Sequence, residues 1–102
     1  MPNLSPTVAN AHVNPGALLL DMRELDEWQS GHVSGAVHLP LGDLATRIAE
    51  LAHDREIVVM CLGGRRSQVA SGMLARAGFG LVSNLDGGNT AWVRDGLPAV
   101  RG

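Results

Sequence analysis

The segment Ile57-Val58-Val59-Met60-Cys61-Leu62-Gly63-Gly64-Arg65-Arg66-Ser67 decides how this chain is read. Its unbroken apolar start marks a strand buried on both faces, because a strand with one wet face would alternate. The run ends on the lone cysteine of the sequence. Beyond the loop, Gln68 to Ala77 is amphipathic, with Ala70, Met73, Leu74 and Ala77 on one helical stripe and Gly78 as its stop. The order strand, thiol, tight loop, helix places Cys61 at the carboxyl end of a strand, where α/β sheets collect ligands. Gly63 and Gly64 allow positive φ, which lets successive amides curl into an anion-binding nest. An unperturbed thiol is only about 3% ionised at pH 7, and a depression of roughly two units makes thiolate the majority species. Arg65 and Arg66 add positive charge beside the sulfur, and Ser67 can cap the helix or donate to a bound oxyanion. A lone cysteine at a strand end is commonly a small buried hydrophobe. The glycine, arginine and serine neighbours argue for chemistry instead.

Outward from this segment, strands alternate with helices. Ala17-Leu18-Leu19-Leu20-Asp21 is a second buried run, Ala36 to Leu39 a third, and Leu81 to Leu85 a fourth. Glu24 to Ser30 reads as a short helix stopped by Gly31. Leu44, Ile48 and Leu51 give helical spacing within Asp43 to His53, with Asp43 as N-cap. Gly87-Gly88 turns into a short helix carrying Trp92, which Gly96-Leu97-Pro98 ends. Met1 to Gly16, with three of the five prolines, reads as a loose lead-in with one short edge strand around Thr7–Ala9. The pattern predicts an α/β fold: a mostly parallel sheet of about four to five strands with helices on both faces. One domain is expected over residues 1–102, with its core at about 17–98.

Bulk properties narrow the chemistry. A net charge of −2 favours neither nucleic acid nor an anionic membrane surface. All eight basic residues are arginines, so a Walker A lysine, a Schiff base and a lysine general base are excluded. The four histidines, His12, His32, His38 and His53, show no metal-ligand spacing with the single cysteine, and no metal or cofactor is expected. No apolar run reaches the ~20 residues of a membrane span, and no signal segment opens the chain. A free thiol then makes the cytoplasm the expected compartment.

The loop resembles the Cys-x-x-Gly-x-Arg-Ser active-site loop of single-domain rhodanese-like sulfurtransferases. Three further stretches match in order. Leu20-Asp21-Met22-Arg23-Glu24 is similar to the family's Asp-x-Arg strand end, and Gly31-His32-Val33-Ser34-Gly35-Ala36 to its Gly-His-Ile-x-Gly-Ala turn. Leu85-Asp86-Gly87-Gly88 with Ala91-Trp92 and Gly96-Leu97-Pro98 is similar to its carboxyl-terminal signature. Met22, where a β-branched residue is usual, and an abbreviated amino-terminal region are the departures.

The resemblance implies ping-pong transfer of sulfane sulfur. Cys61 would attack thiosulfate or a similar small anionic donor and become a persulfide. The loop Leu62, Gly63, Gly64, Arg65, Arg66 and Ser67 would stabilise the terminal sulfur, with Arg65 or Arg66 holding the donor. Cyanide, a thiol or a protein acceptor would then take the sulfur. Asp21, Arg23 and His32 would support the structure, His32 by fixing its turn with a hydrogen bond. Two other readings use the same layout. A protein-binding module would keep the fold without catalysis, and a non-turnover persulfide carrier would pass sulfur only to a protein. A cysteine phosphatase or arsenate reductase would need Cys-x5-Arg, whereas the sixth residue after Cys61 is Ser67.

Overall fold

The apolar run Ile57–Met60 lies at the middle of a five-stranded sheet, as burial on both faces requires. The computed structural model describes residues 2–13 and 16–101; Met1, Asn14, Pro15 and Gly102 lie outside them. In chain order the elements are β1 (Asn3–Leu4), α1 (Pro6–Val13), β2 (Leu18–Asp21), α2 (Leu25–Ser30), β3 (His32–Val33) and β4 (Val37–His38). A 3-10 turn at Leu41–Asp43, α3 (Leu44–Arg47) and a second 3-10 turn at Ile48–Glu50 follow. The chain continues through β5 (Ile57–Met60), α4 (Arg65–Arg76), β6 (Val82–Leu85), α5 (Gly88–Arg94) and β7 (Ala99–Val100).

The main sheet has the order β1-β6-β5-β2-β4, with every neighbouring pair parallel. Alternation along β5 divides the core. Ile57, Val59 and Cys61 face Leu44, Ala70 and Leu74 on one side, while Val58 and Met60 face Ala9, Leu85 and Trp92 on the other. Helices therefore cover both faces, as expected. Among the described residues, no helix is long and apolar enough to cross a membrane.

Four local expectations need correction. Thr7–Ala9 is helical rather than strand, because Ser5 Oγ accepts the Val8 N–H at 3.3 Å and Pro6 occupies the first helical position. The edge strand is instead Asn3–Leu4, paired with Asn84–Leu85. The single helix expected over Asp43 to His53 is three short pieces, and Asp43 supplies no side-chain cap. Its spacing still marks the inward side: Leu44 is buried, and Ile48 and Leu51 pack on the same cluster. The third correction is an addition. β3 pairs antiparallel with β7, two residues each, too short for periodicity to announce. Finally, α4 starts at Arg65 rather than Gln68, since its polar first turn carries none of the apolar stripe.

The amino end of α5 backs the loop that follows β5. The Asn89 N–H donates to the Cys61 carbonyl at 2.7 Å, and the Thr90 N–H to the Leu62 carbonyl at 3.1 Å. Such an approach leaves no room for a side chain at Gly88. A Cβ there would lie 2.3 Å from the Cys61 oxygen and 2.7 Å from the Leu62 oxygen, and its φ of +60° is left-handed besides. Gly88→Ala is accordingly expected to cost roughly 3 kcal/mol in urea unfolding. Unfolding as late as the wild type would contradict this close packing.

Candidate active site

Cys61 leaves β5 at its carboxyl end, 1% exposed, with its sulfur turned toward the start of α4. The Gly64 N–H donates to Sγ at 3.0 Å, and the Ser67 hydroxyl oxygen lies 3.6 Å from it. Burial pushes the thiol up, but donation to the ionised form from the Ser67 amide and hydroxyl and from the Gly64 and Arg66 amides outweighs it. The thiol ends below its ordinary value. The sulfur is thus desolvated and surrounded by N–H dipoles, an arrangement that favours an anion over a buried hydrophobe.

The loop residues divide by role. Of the two glycines only Gly64 takes positive φ, at +110°, so the freedom that Gly63 offers is not used. Gly64 is also the residue that precedes α4. Ser67, expected as a cap, lies inside the first turn, fully buried, with its hydroxyl 3.1 Å from the Gly64 carbonyl and bonded to Asn84 Oδ1. Leu62 and Arg65 are exposed. Arg66 instead makes a bidentate pair with Glu27 of α2, at 2.7 and 2.9 Å. That guanidinium holds the Glu27 carboxyl down from 4.5 to about 2.

The residues expected to give support sit around β2 and α2. Asp21 and Arg23 form a buried pair, with Arg23 Nη2 2.8 Å from Asp21 Oδ2. Arg23 also donates to the Glu27 and Gly31 carbonyls at 3.2 and 2.7 Å, which ties the end of β2 to both ends of the following turn. His32 donates from Nδ1 to the Trp28 carbonyl at 3.0 Å and stacks on the Trp28 ring, centroids 3.6 Å apart. His38 donates from Nε2 to the Arg23 carbonyl at 2.7 Å and lies against the same indole. These imidazoles brace backbone. Trp92 is core, its Nε1–H donating to the Pro98 carbonyl at 2.9 Å.

Glu27, Asn84 and Asn3 were not singled out from the sequence. Glu27 had a local signal, since it completes a capping box with Glu24 at the start of α2. Asn84 had one too: a polar side chain inside a strand whose four residues are all buried needs a partner. Its Nδ2 donates to Asn3 Oδ1 at 3.0 Å.

Comparison with known proteins gives the family. The sequence profile of the Rhodanese-like domain family matches residues 5–95. A sulfurtransferase of Allochromatium vinosum is 41% identical over 83 residues, covering 81% of this chain and 78% of the relative. The thiosulfate sulfurtransferase GlpE of Stutzerimonas stutzeri is 37% identical over 89 residues, covering 87% and 82%. A crystal structure of a rhodanese-related protein from Thermoplasma volcanium superposes with a TM-score of 0.91 over 98% of both chains, at 24% identity, which speaks for the fold. With the profile matching most of its length and relatives at 41% and 37% identity, the chain belongs to the rhodanese-like domain family.

Proposed function

We propose that this chain is a sulfurtransferase enzyme that moves sulfane sulfur from thiosulfate or a similar anionic donor to cyanide or a thiol. The observation that carries this reading is the Gly64 N–H at 3.0 Å from a buried Cys61 sulfur whose thiol is shifted toward ionisation. The Cys61 thiolate attacks the outer sulfur of the donor. One S–S bond forms as another breaks, and its electron pair leaves with sulfite. The persulfide's terminal sulfur carries the negative charge, which the loop amides stabilise as oxyanion-hole donors stabilise oxygen. The second nucleophile then attacks that terminal sulfur, and the electron pair of the broken S–S bond returns to Cys61. No general base takes part in this reading, because hydrogen bonding to the thiolate lowers the thiol and the nucleophile forms by ionisation before it attacks the donor.

The two arginines separate by what they already hold. Arg66 is committed to Glu27 through two charge-assisted bonds, so binding a dianion there would mean breaking them. Arg65, exposed at the first position of α4, is the donor-binding residue in this reading. The loop length supports sulfur over phosphate. Ser67 occupies the position where a Cys-x5-Arg loop needs its arginine, and the Ser67 side chain is buried on Asn84.

Cys61→Ser is expected to lower cyanide-dependent thiocyanate formation from thiosulfate by more than about 1000-fold while its melting curve stays like the wild type. Retained turnover would refute the thiolate mechanism. For Arg65→Ala, steady-state kinetics should give a KM for thiosulfate about tenfold higher with kcat little changed. A raised KM in Arg66→Ala alone would instead assign the donor to Arg66.

A further inference from the structure

The Ser67 hydroxyl has one proton and three acceptors around it. They are Asn84 Oδ1, the Gly64 carbonyl at 3.1 Å and the Cys61 sulfur at 3.6 Å. All of this is sealed from water: Cys61 and Asn84 are 1% exposed and Ser67 fully buried. A single hydroxyl donates once, so these contacts compete. The contact with Asn84 Oδ1 is the shortest of the three and so claims the proton. Asn84 presents oxygen there because its Nδ2 is engaged with Asn3 Oδ1 at 3.0 Å. The hydroxyl therefore turns lone pairs, not its proton, toward the sulfur, which suits a neutral S–H donating to it. An ionised sulfur needs the opposite orientation.

We propose that Asn84 is a positioning residue that holds the Ser67 hydroxyl away from Cys61 until the sulfur ionises, and so sets the pH at which the nucleophile forms. Asn3, on the edge strand β1, locks the amide in the orientation that does this. The hydroxyl is a two-position rotor. It donates to Sγ while Cys61 is a thiolate, and returns to Asn84 once Sγ is bonded to the transferred sulfur and its charge has moved outward. Only the placement in the catalytic cycle rests on the sulfurtransferase reading. The acid–base effect on the thiol stands apart from it. Removing the Asn84 acceptor leaves the hydroxyl free to donate to the thiolate, which lowers the ionisation midpoint.

The test is the pH dependence of iodoacetamide alkylation at Cys61, which reads ionisation with no sulfur donor present. Asn84→Leu and Asn3→Ala are each expected to lower the midpoint, Asn84→Leu by about half a pH unit or more. In a Ser67→Ala background the same two substitutions should leave the midpoint where Ser67→Ala alone puts it. Asn3 is exposed, so Asn3→Ala carries the test even if Asn84→Leu does not fold. A midpoint unchanged or raised in the folded variants, or the same shift persisting without Ser67, would overturn the proposal. Failure of thiosulfate to modify Cys61 would strike the sulfur-transfer reading and leave this result untouched.

Discussion

The orientation of two peptide units, those whose carbonyls belong to Cys61 and Leu62, governs the rest of the site. Both carbonyls are received by N–H groups at the start of α5, from Asn89 and Thr90. With its carbonyls engaged behind, the loop is free to present N–H groups ahead, and Gly64 delivers one to the sulfur. The contact demands a residue without Cβ at Gly88, and it joins the carboxyl-terminal part of the fold to chemistry that begins at β5. A thiolate buried without such dipoles would carry a desolvation penalty that keeps it protonated. Here the dipoles outweigh burial.

Around this centre, two arginines other than Arg65 are held in ion pairs. Asp21 neutralises Arg23 in the interior, and Glu27 neutralises Arg66 at the edge of the site. Both pairs converge on α2: Arg23 reaches the Glu27 carbonyl, and Arg66 reaches the Glu27 carboxylate. The short helix is thus fastened at one residue from two sides. Breaking a buried pair by removing one partner is strongly destabilising, whereas the intact pair adds little net stability, so what Asp21 and Arg23 contribute is read from the contacts they make. They fix where the turn after β2 lies beside the cysteine loop.

Much of this was legible from the residues. β5 was readable in full because a strand buried on both faces shows as an uninterrupted apolar run, and Cys61 marked its end. The Gly87-Gly88 turn and Trp92 were readable because glycine and tryptophan carry strong local meaning. What escaped depended on partners distant in sequence. Asn84 meets Ser67 across 17 positions and Asn3 across 81, and Arg66 meets Glu27 across 39. No local pattern encodes such pairs. The amino-terminal segment was misread for a different reason. Thr7 and Val8 have strand propensity, but the Ser5 cap and Pro6 determine a helix that packs Ala9 into the core. That segment also holds Asn3, which reaches the cysteine loop through Asn84 and Ser67.

In the proposed transfer, Cys61 carries the moving sulfur. Intact-mass spectrometry under non-reducing conditions, after brief exposure to thiosulfate and removal of the excess, tests it most directly. The added mass of one sulfur atom is expected, located on the peptide holding Cys61 and discharged by cyanide. A protein that remains unmodified, or an adduct that persists in Cys61→Ser, would contradict it.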